Sequence, residues 1–162
     1  MTNNSSTVKY VMDTNTLIGF SIWNPISLNK IFWDKLESSL KDGKWVLLDI
    51  VHKEITHGGP LKEWCKRQKQ NGLVTEISDN DKLSAIEINN NYPMIDQATF
   101  NSSGDPYIIA YALNNKVAVF TREIHKTPTE KLHKIPDVCK ILNIPVTKKP
   151  EDFLESIDFN LN

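Results

Sequence analysis

Apolar positions recur along the chain with two rhythms, and the changes between them divide it into short strands and longer helices. Residues 8–12 (VKYVM) make one brief apolar-rich run, the length of a buried strand, stopped by Asp13-Thr14-Asn15. Residues 25–40 instead place Ile26, Ile31, Phe32, Leu36 and Leu40 close to helical period. Residues 45–48 (WVLL) predict a second strand, and Asp49 is expected to cap a helix running through Ile55. Gly58-Gly59-Pro60 breaks that helix, and residues 61–70 begin another that is strongly basic. A third strand is expected over 73–77, then a helix opened by Asp79 or Asn80 and reaching about 90, then a polar loop over 91–104. Asp105-Pro106 starts a helix through 113, because proline in the first turn gives up no needed N–H. Residues 116–121 (KVAVFT) predict a fourth strand, 136–142 a helix, 145–147 a short fifth strand and 151–157 a last helix.

Strands alternating with helices predict the α/β class: a three-layer sandwich with a short central parallel sheet of four or five strands, flanked by helices. The whole chain, 1–162, is expected to form one domain with its core over about 8–147. Ligands of such sheets bind outside the carboxyl ends of the strands, near the topological switch point. Acidic residues recur at those positions. Asp13 directly follows the first strand, Glu54 lies on the helix after the second, Asp105 opens the helix before the fourth, Glu123 lies just past that strand and Asp137 begins the next helix. Carboxylates gathered in one cleft repel one another and drift towards neutrality, and a hard cation such as Mg²⁺ or Mn²⁺ relieves that repulsion. A cation held this way can activate water and stabilise a phosphodiester under in-line attack.

Each acid also has a structural explanation. Asp105 and Asp137 could be helix caps, Glu54 a solvated helix residue and Glu123 part of an exposed turn. Asp13 is the hardest to dismiss, since a carboxylate ending a buried strand is poorly placed for solubility alone. Asp49 is assigned to capping, and Asp42, Asp79 and Asp81 to turns or helix starts.

Composition narrows the class. The chain has 162 residues, enough for one domain, with 40% hydrophobic and 24% charged residues. No apolar run approaches the roughly 20 residues needed to cross a bilayer, and residues 1–7 lack the basic and apolar regions of a signal peptide. Cys65 and Cys139 stand far apart without metal-binding spacing, which suggests a reducing cytoplasm and neither disulfide nor structural zinc. The net charge of -1 lacks a basic footprint for nucleic acid, but acidic site residues lower that total and a bound cation offsets them locally.

The runs YVMDTNTLIGF, VLLDIVHKEI, GDPYIIAYAL and VAVFTRE, in that order, resemble the four motifs of the PIN-domain family, VapC-like bacterial ribonucleases among them. The resemblance spans roughly residues 10–147. It implies metal-dependent cleavage of RNA with Asp13, Glu54, Asp105 and Glu123 as catalytic and metal-site acids, Mg²⁺ or Mn²⁺ as cofactor, and Asn15 and Thr121 in support. Many PIN domains carry Asp where this chain has Glu123. Asp137, within KIPDVC, resembles a feature of a bacterial PIN-like subfamily and could supply or supplement that fourth acid. Many compact bacterial PIN proteins are toxins of toxin–antitoxin pairs, which implies an antitoxin as a partner; related domains also commonly form homodimers.

Lys62, Lys66 and Arg67, on the basic 61–70 helix with Trp64 among them, are candidate contacts to an RNA backbone; Trp64 itself reads better as core. His52 and His57 flank Glu54, while His125 and His133 have no assigned role. Trp23, Trp33 and Trp45 read as core or partner surface. One alternative is a phosphatase of the haloacid-dehalogenase type, but Asn15 stands where that family needs a second aspartate. The other is a non-catalytic PIN-like module that binds metal, RNA or protein without cutting.

Overall fold

Three strands are buried along their whole length: β1 (Tyr10–Met12), β2 (Trp45–Leu48) and β4 (Ala118–Phe120). Their unbroken apolar sequences are what a parallel sheet covered on both faces requires. Two-residue strands, β3 (Val74–Thr75) and β5 (Val146–Thr147), are only half-buried and form the edges. The computed structural model describes residues 9–55, 58–100 and 102–159. In it the five strands are all parallel, in the order β3-β2-β1-β4-β5. The chain thus winds outward from β1 to β3, then crosses back to β4 and β5, so the switch point lies between β1 and β4.

The helices are α1 (Thr14–Trp23), α2 (Lys30–Lys41), α3 (Asp49–Glu54), α4 (Pro60–Gln70), α5 (Asp79–Asn91), α6 (Asp105–Asn115), α7 (Ile135–Ile141) and α8 (Pro150–Ser156). Right-handed crossovers put the helices of the two winding directions on opposite faces. The three-layer α/β arrangement expected from the sequence is the one observed. On the α1–α2 face an aromatic cluster joins the layers. Phe153 of α8 stacks on Phe120 at 4.4 Å, and meets Tyr10 edge-on at 5.4 Å. Phe20 of α1 packs beside both Phe120 and Phe32. The Trp33 indole donates to the Asn24 carbonyl at 2.7 Å, and Trp45 donates to Ser39 Oγ at 2.9 Å.

Several expected boundaries need correction. Residues 25–40 are not one helix: the Pro25 carbonyl closes a turn with the N–H groups of Leu28 and Asn29, and α2 starts at Lys30 with Asn29 as its cap. Asp49 is not a cap either. It occupies the first helical position after Leu48 and pairs with Lys53 at 3.7 Å. Ser78 rather than Asp79 or Asn80 caps α5, in a reciprocal capping box with Asp81. Trp64 is buried against Trp33 at 5.1 Å, with Trp33 and Trp45 in the core as well, whereas Trp23 is 75% exposed. Val8, expected to begin β1, lies outside the described residues.

Phe153 connects the last helix to the sheet through three ring contacts made without solvent access. Phe153→Ala is expected to lower unfolding free energy by about 3–5 kcal/mol, as other buried aromatic truncations do. Urea denaturation followed by tryptophan fluorescence would measure the loss.

Candidate active site

Parallel pairing of Met12 with Phe120 brings the residues that follow β1 and β4 side by side. The Asp13 N–H donates to the Phe120 carbonyl at 3.2 Å. The Asp13 carboxylate caps α1, accepting from the Thr16 N–H at 2.7 Å through Oδ1. Its Oδ2 accepts a short hydrogen bond from the Thr121 hydroxyl. Burial pushes the Asp13 carboxyl up, and these hydrogen bonds from Thr121 and Thr16 act against that rise. Thr121 also accepts from the Glu123 N–H at 3.1 Å, so one hydroxyl links two of the acids.

Glu54 is the last residue of α3 and points back towards the seam. Its carboxyl is raised by burial first and then by the charge of Asp13. The nearby Thr14 hydroxyl moderates this, although neither Thr14 Oγ1 nor Glu54 Oε1 completes a hydrogen bond. Glu123 is raised by burial and by Asp13, and steadied by the Ile135 N–H, which donates to its Oε2 at 3.1 Å. Asp105 carries the largest conflict. Burial, then the charges of Glu123, Asp13 and Glu54, push its carboxyl up to about 8, with a hydrogen bond from Ser102 in opposition. The four acids therefore share one electrostatic neighbourhood at the switch point.

Other candidates are placed differently. Asp137 is engaged in holding the 123–134 segment to α7. Its Oδ2 accepts from the N–H groups of Lys134 and Lys126 at 2.9 and 3.0 Å, and its Oδ1 lies 2.7 Å from His125 Nδ1. Burial alone would raise it, but those hydrogen bonds hold it below the usual carboxylate range. It acts on Glu123 only through its charge. The Asp105 capping explanation fails: Gly104 is the N-cap and Asp105 sits inside the first turn. Asn15 is exposed and reaches Asp13 through its backbone N–H. Lys62, Lys66 and Arg67 are exposed on α4, with Arg67 3.6 Å from Glu37 of α2. Lys62 and Lys69 lie near enough to His52 to help burial hold that imidazole below its usual value. His57 lies outside the described residues, and His133 packs edge-on against Tyr92.

Thr14, Thr16 and Gly104 are site residues that the sequence reading missed. A Cβ at Gly104 would stand 1.6 Å from Glu54 Oε1 and 2.8 Å from its Cδ. The backbone there, φ -83 and ψ -17, is open to any residue, so a side chain at this position would displace the Glu54 carboxylate rather than strain the backbone. Glycine is itself a common N-cap residue, so no local signal in the sequence marked Gly104.

Among the described residues no three His, Cys, Asp or Glu side chains are already gathered to enclose a cation. The donor set nevertheless suits a hard ion: it is all oxygen, Glu54 Oε1 is buried without a partner, and Asp105 is destabilised when charged. Mg²⁺ characteristically takes one or two carboxylates and keeps several waters instead of needing an all-protein cage.

Fold and site together define an α/β protein with a carboxylate centre at the switch point of a parallel sheet. The chain belongs to the family described as a domain of unknown function, DUF4411, whose model matches residues 10–161. It is similar in structure to a chain of VapBC2 from Rickettsia felis, solved bound to a DNA fragment from their promoter. The TM-score is 0.50 at 17% identity, over 86% of this chain and 97% of that one. That likeness concerns the fold. No curated protein matches the chain.

Two predictions follow from these charges and contacts. Between the ordinary carboxylate pKa of 3.8 and about 8, folded Asp105 keeps a proton that the unfolded chain has released. Its contribution therefore makes stability fall as pH rises through that window and level off above it. In EDTA at pH 8, Asp105→Asn should melt about 3 °C or more above the wild type, with the gap closing towards pH 4. Differential scanning calorimetry across that range would measure both. Gly104→Ala should hold its melting temperature, because a glutamate tip can swing aside, yet weaken Mn²⁺ binding about 10–100-fold in isothermal titration. Adding Glu54→Asp, which withdraws the carboxylate by one methylene, should recover part of that affinity.

Proposed function

We propose that this protein is a divalent-metal-dependent endoribonuclease of the PIN type, acting in the cytoplasm as the toxin of a toxin–antitoxin pair. The observation that carries the reading is the charge conflict at Asp105, pushed up to about 8 by burial and by Glu123, Asp13 and Glu54. Such a conflict is unfavourable in the free protein and is relieved by a hard cation, which makes cation binding the natural use of the site.

In this reading Asp13, Glu54, Asp105 and Glu123 would hold Mg²⁺ or Mn²⁺. The cation supplies Lewis-acid stabilisation of the phosphate and a more acidic water. The chain's own residues set the geometry. Thr121 and the Thr16 N–H fix both oxygens of Asp13, and the Ile135 N–H orients Glu123. Glu54 offers an oxygen without a protein partner. Asn15 stands at the first turn of α1 as a supporting polar group, and Asp137 supports the site through its charge and the segment it holds. Exposed Lys62 and Lys66 of α4 are the candidate contacts to an RNA backbone, joined by Arg67 when it leaves Glu37.

The likeness to a chain of the VapBC2 complex supports a protein partner. Exposed Ile22, Trp23, Leu28 and Ile31, around the α1–α2 turn, give an antitoxin apolar surface, and Leu83, Ile86 and Leu113 offer the same to a second copy. Among the described residues no helix is long and apolar enough to cross a membrane.

Purified protein should cleave RNA, offered as a mixture of structured and single-stranded molecules, with Mn²⁺ or Mg²⁺ and stop in EDTA. An Asp13→Asn plus Asp105→Asn variant should lose on the order of 100-fold or more in rate, a loss typical of dismantled electrostatic catalysis. Persistent cleavage in EDTA, or by the double variant, would sink the mechanism.

A further inference from the structure

Glu54 forms a wall of two cavities, one on either side of it. The cavity towards α1 and α4, about 380 Å³, is bounded mainly by apolar groups such as Ile18, Ile26 and Leu61. The other, about 430 Å³, opens between α3, α5 and the start of α6, and Asn89, Lys53, Phe100 and Tyr107 are among its lining residues. We propose that this second cavity is a nucleobase pocket, holding a base adjacent to the cleaved phosphate and favouring one that presents two hydrogen-bond acceptors, as guanine does through O6 and N7. The inference rests on the nuclease reading and adds a substrate preference to it.

Position is the first argument. Glu54 and Gly104 line the cavity, and Gly104 immediately precedes Asp105, so an occupant lies beside the acids. The carboxylate wall repels a phosphate but accepts a neutral planar group. Aromatic surface is the second. Tyr107 of α6 and Phe100 both line the cavity, and Phe100 is 71% exposed. Phe100 sits at φ 56, in the left-handed region that a bulky residue seldom adopts. Its N–H donates to the Asp96 carbonyl at 2.7 Å, within a turn in which the Asp96 carboxylate accepts from the Ala98 N–H at 2.8 Å. An exposed ring held in an unfavourable backbone conformation at a cavity rim is a stacking platform, and every base offers a π-face to it.

Hydrogen-bond polarity supplies the preference. Asn89 Oδ1 accepts from the N–H groups of Met94 and Ile95 at 3.0 and 3.3 Å. Those two donors determine which end of the amide is oxygen, and leave Asn89 only its NH₂ to offer. Lys53 is likewise donor-only, and its Asp49 partner stands at a loose 3.7 Å. Two donor-only groups among the lining residues, Asn89 and Lys53, match a base edge carrying two acceptors. The Hoogsteen edge of adenine, one acceptor and one donor, matches only in part.

Asn89→Asp is the informative variant: it keeps the oxygen that accepts from Met94 and Ile95 and replaces the NH₂ donor with an acceptor. Nucleoside monophosphates are titrated into the full-length protein in EDTA, following the Asn89 side-chain amide by NMR, alongside cleavage of RNAs that differ at one base. GMP should shift the Asn89 resonance more strongly than AMP. Asn89→Asp should reduce the preference for guanine at least 10-fold, and Phe100→Ala should weaken all four nucleotides together. No shift with any nucleotide, or an unchanged preference in Asn89→Asp, overturns the pocket. Cleavage without base preference or Asn89 shift overturns the pocket and leaves the nuclease standing. GMP binding at Asn89 in a protein that cleaves no RNA supports the pocket and overturns the nuclease.

Discussion

Met12 of β1 lies in register with Phe120 of β4, and that pairing sets Asp13 and Thr121 side by side at the end of the sheet. The Thr121 hydroxyl donates to Asp13 and accepts from the Glu123 N–H, so the seam orders one acid and aims the chain carrying another. Because the strand order reverses at this seam, helices leave it on both faces of the sheet. Neighbouring β2 delivers Glu54 through α3, and the crossover from β3 delivers Asp105 at the start of α6. A parallel sheet with its switch point elsewhere would scatter the same residues. The local hydrogen bond and the global topology are therefore one constraint seen at two scales.

That constraint collects negative charge where water is limited, and the protein carries the consequence as raised carboxyl pKa values at Asp13, Glu54, Asp105 and Glu123. The aromatic cluster around Phe153, Phe120, Tyr10 and Phe20 lies on the opposite side of the balance, welding the last helix to the strands that bear the acids. Buried, well-packed rings keep the strand ends in place while the carboxylates above them repel one another. The packed rings and the gathered carboxylates are thus located in adjacent layers of one seam.

Much of this was legible in the sequence, for a physical reason. Central strands buried on both faces must be continuous apolar runs, so the VKYVM, WVLL and VAVF segments could be recognised, and with them the positions just past their ends. What could not be read depends on partners distant in sequence. Asp49 and Asp105 look like caps by local rules, but whether a residue sits at the cap or one step inside depends on how the preceding strand or loop enters the helix. Asp137 and Glu123 are similar as isolated acids, and only the folded 123–134 segment shows that Asp137 is taken up by two backbone N–H groups and His125. Gly104 was invisible for the same reason: its need for space comes from Glu54, fifty residues earlier in the chain.

The four gathered acids are alike in type but not in what remains available on them. Both oxygens of Asp13 are engaged, by Thr16 and Thr121, so it is a rigid reference point. One oxygen of Glu123 is oriented by Ile135, and Glu54 Oε1 has no partner, pressed against a glycine that leaves it room. Asp105, with Ser102 as its compensating donor, is the most strongly driven towards neutrality. A cluster serving only to cap helices would have its oxygens matched by backbone donors, as Asp137 and Asp81 do. Here the matched oxygens lie at the seam, and the one buried oxygen of the four acids left without a partner belongs to a residue that also walls two cavities. The graded loss of partners from Asp13 outward to Glu54 is what a site requires if its carboxylates must be held by the protein on one side and meet a ligand on the other.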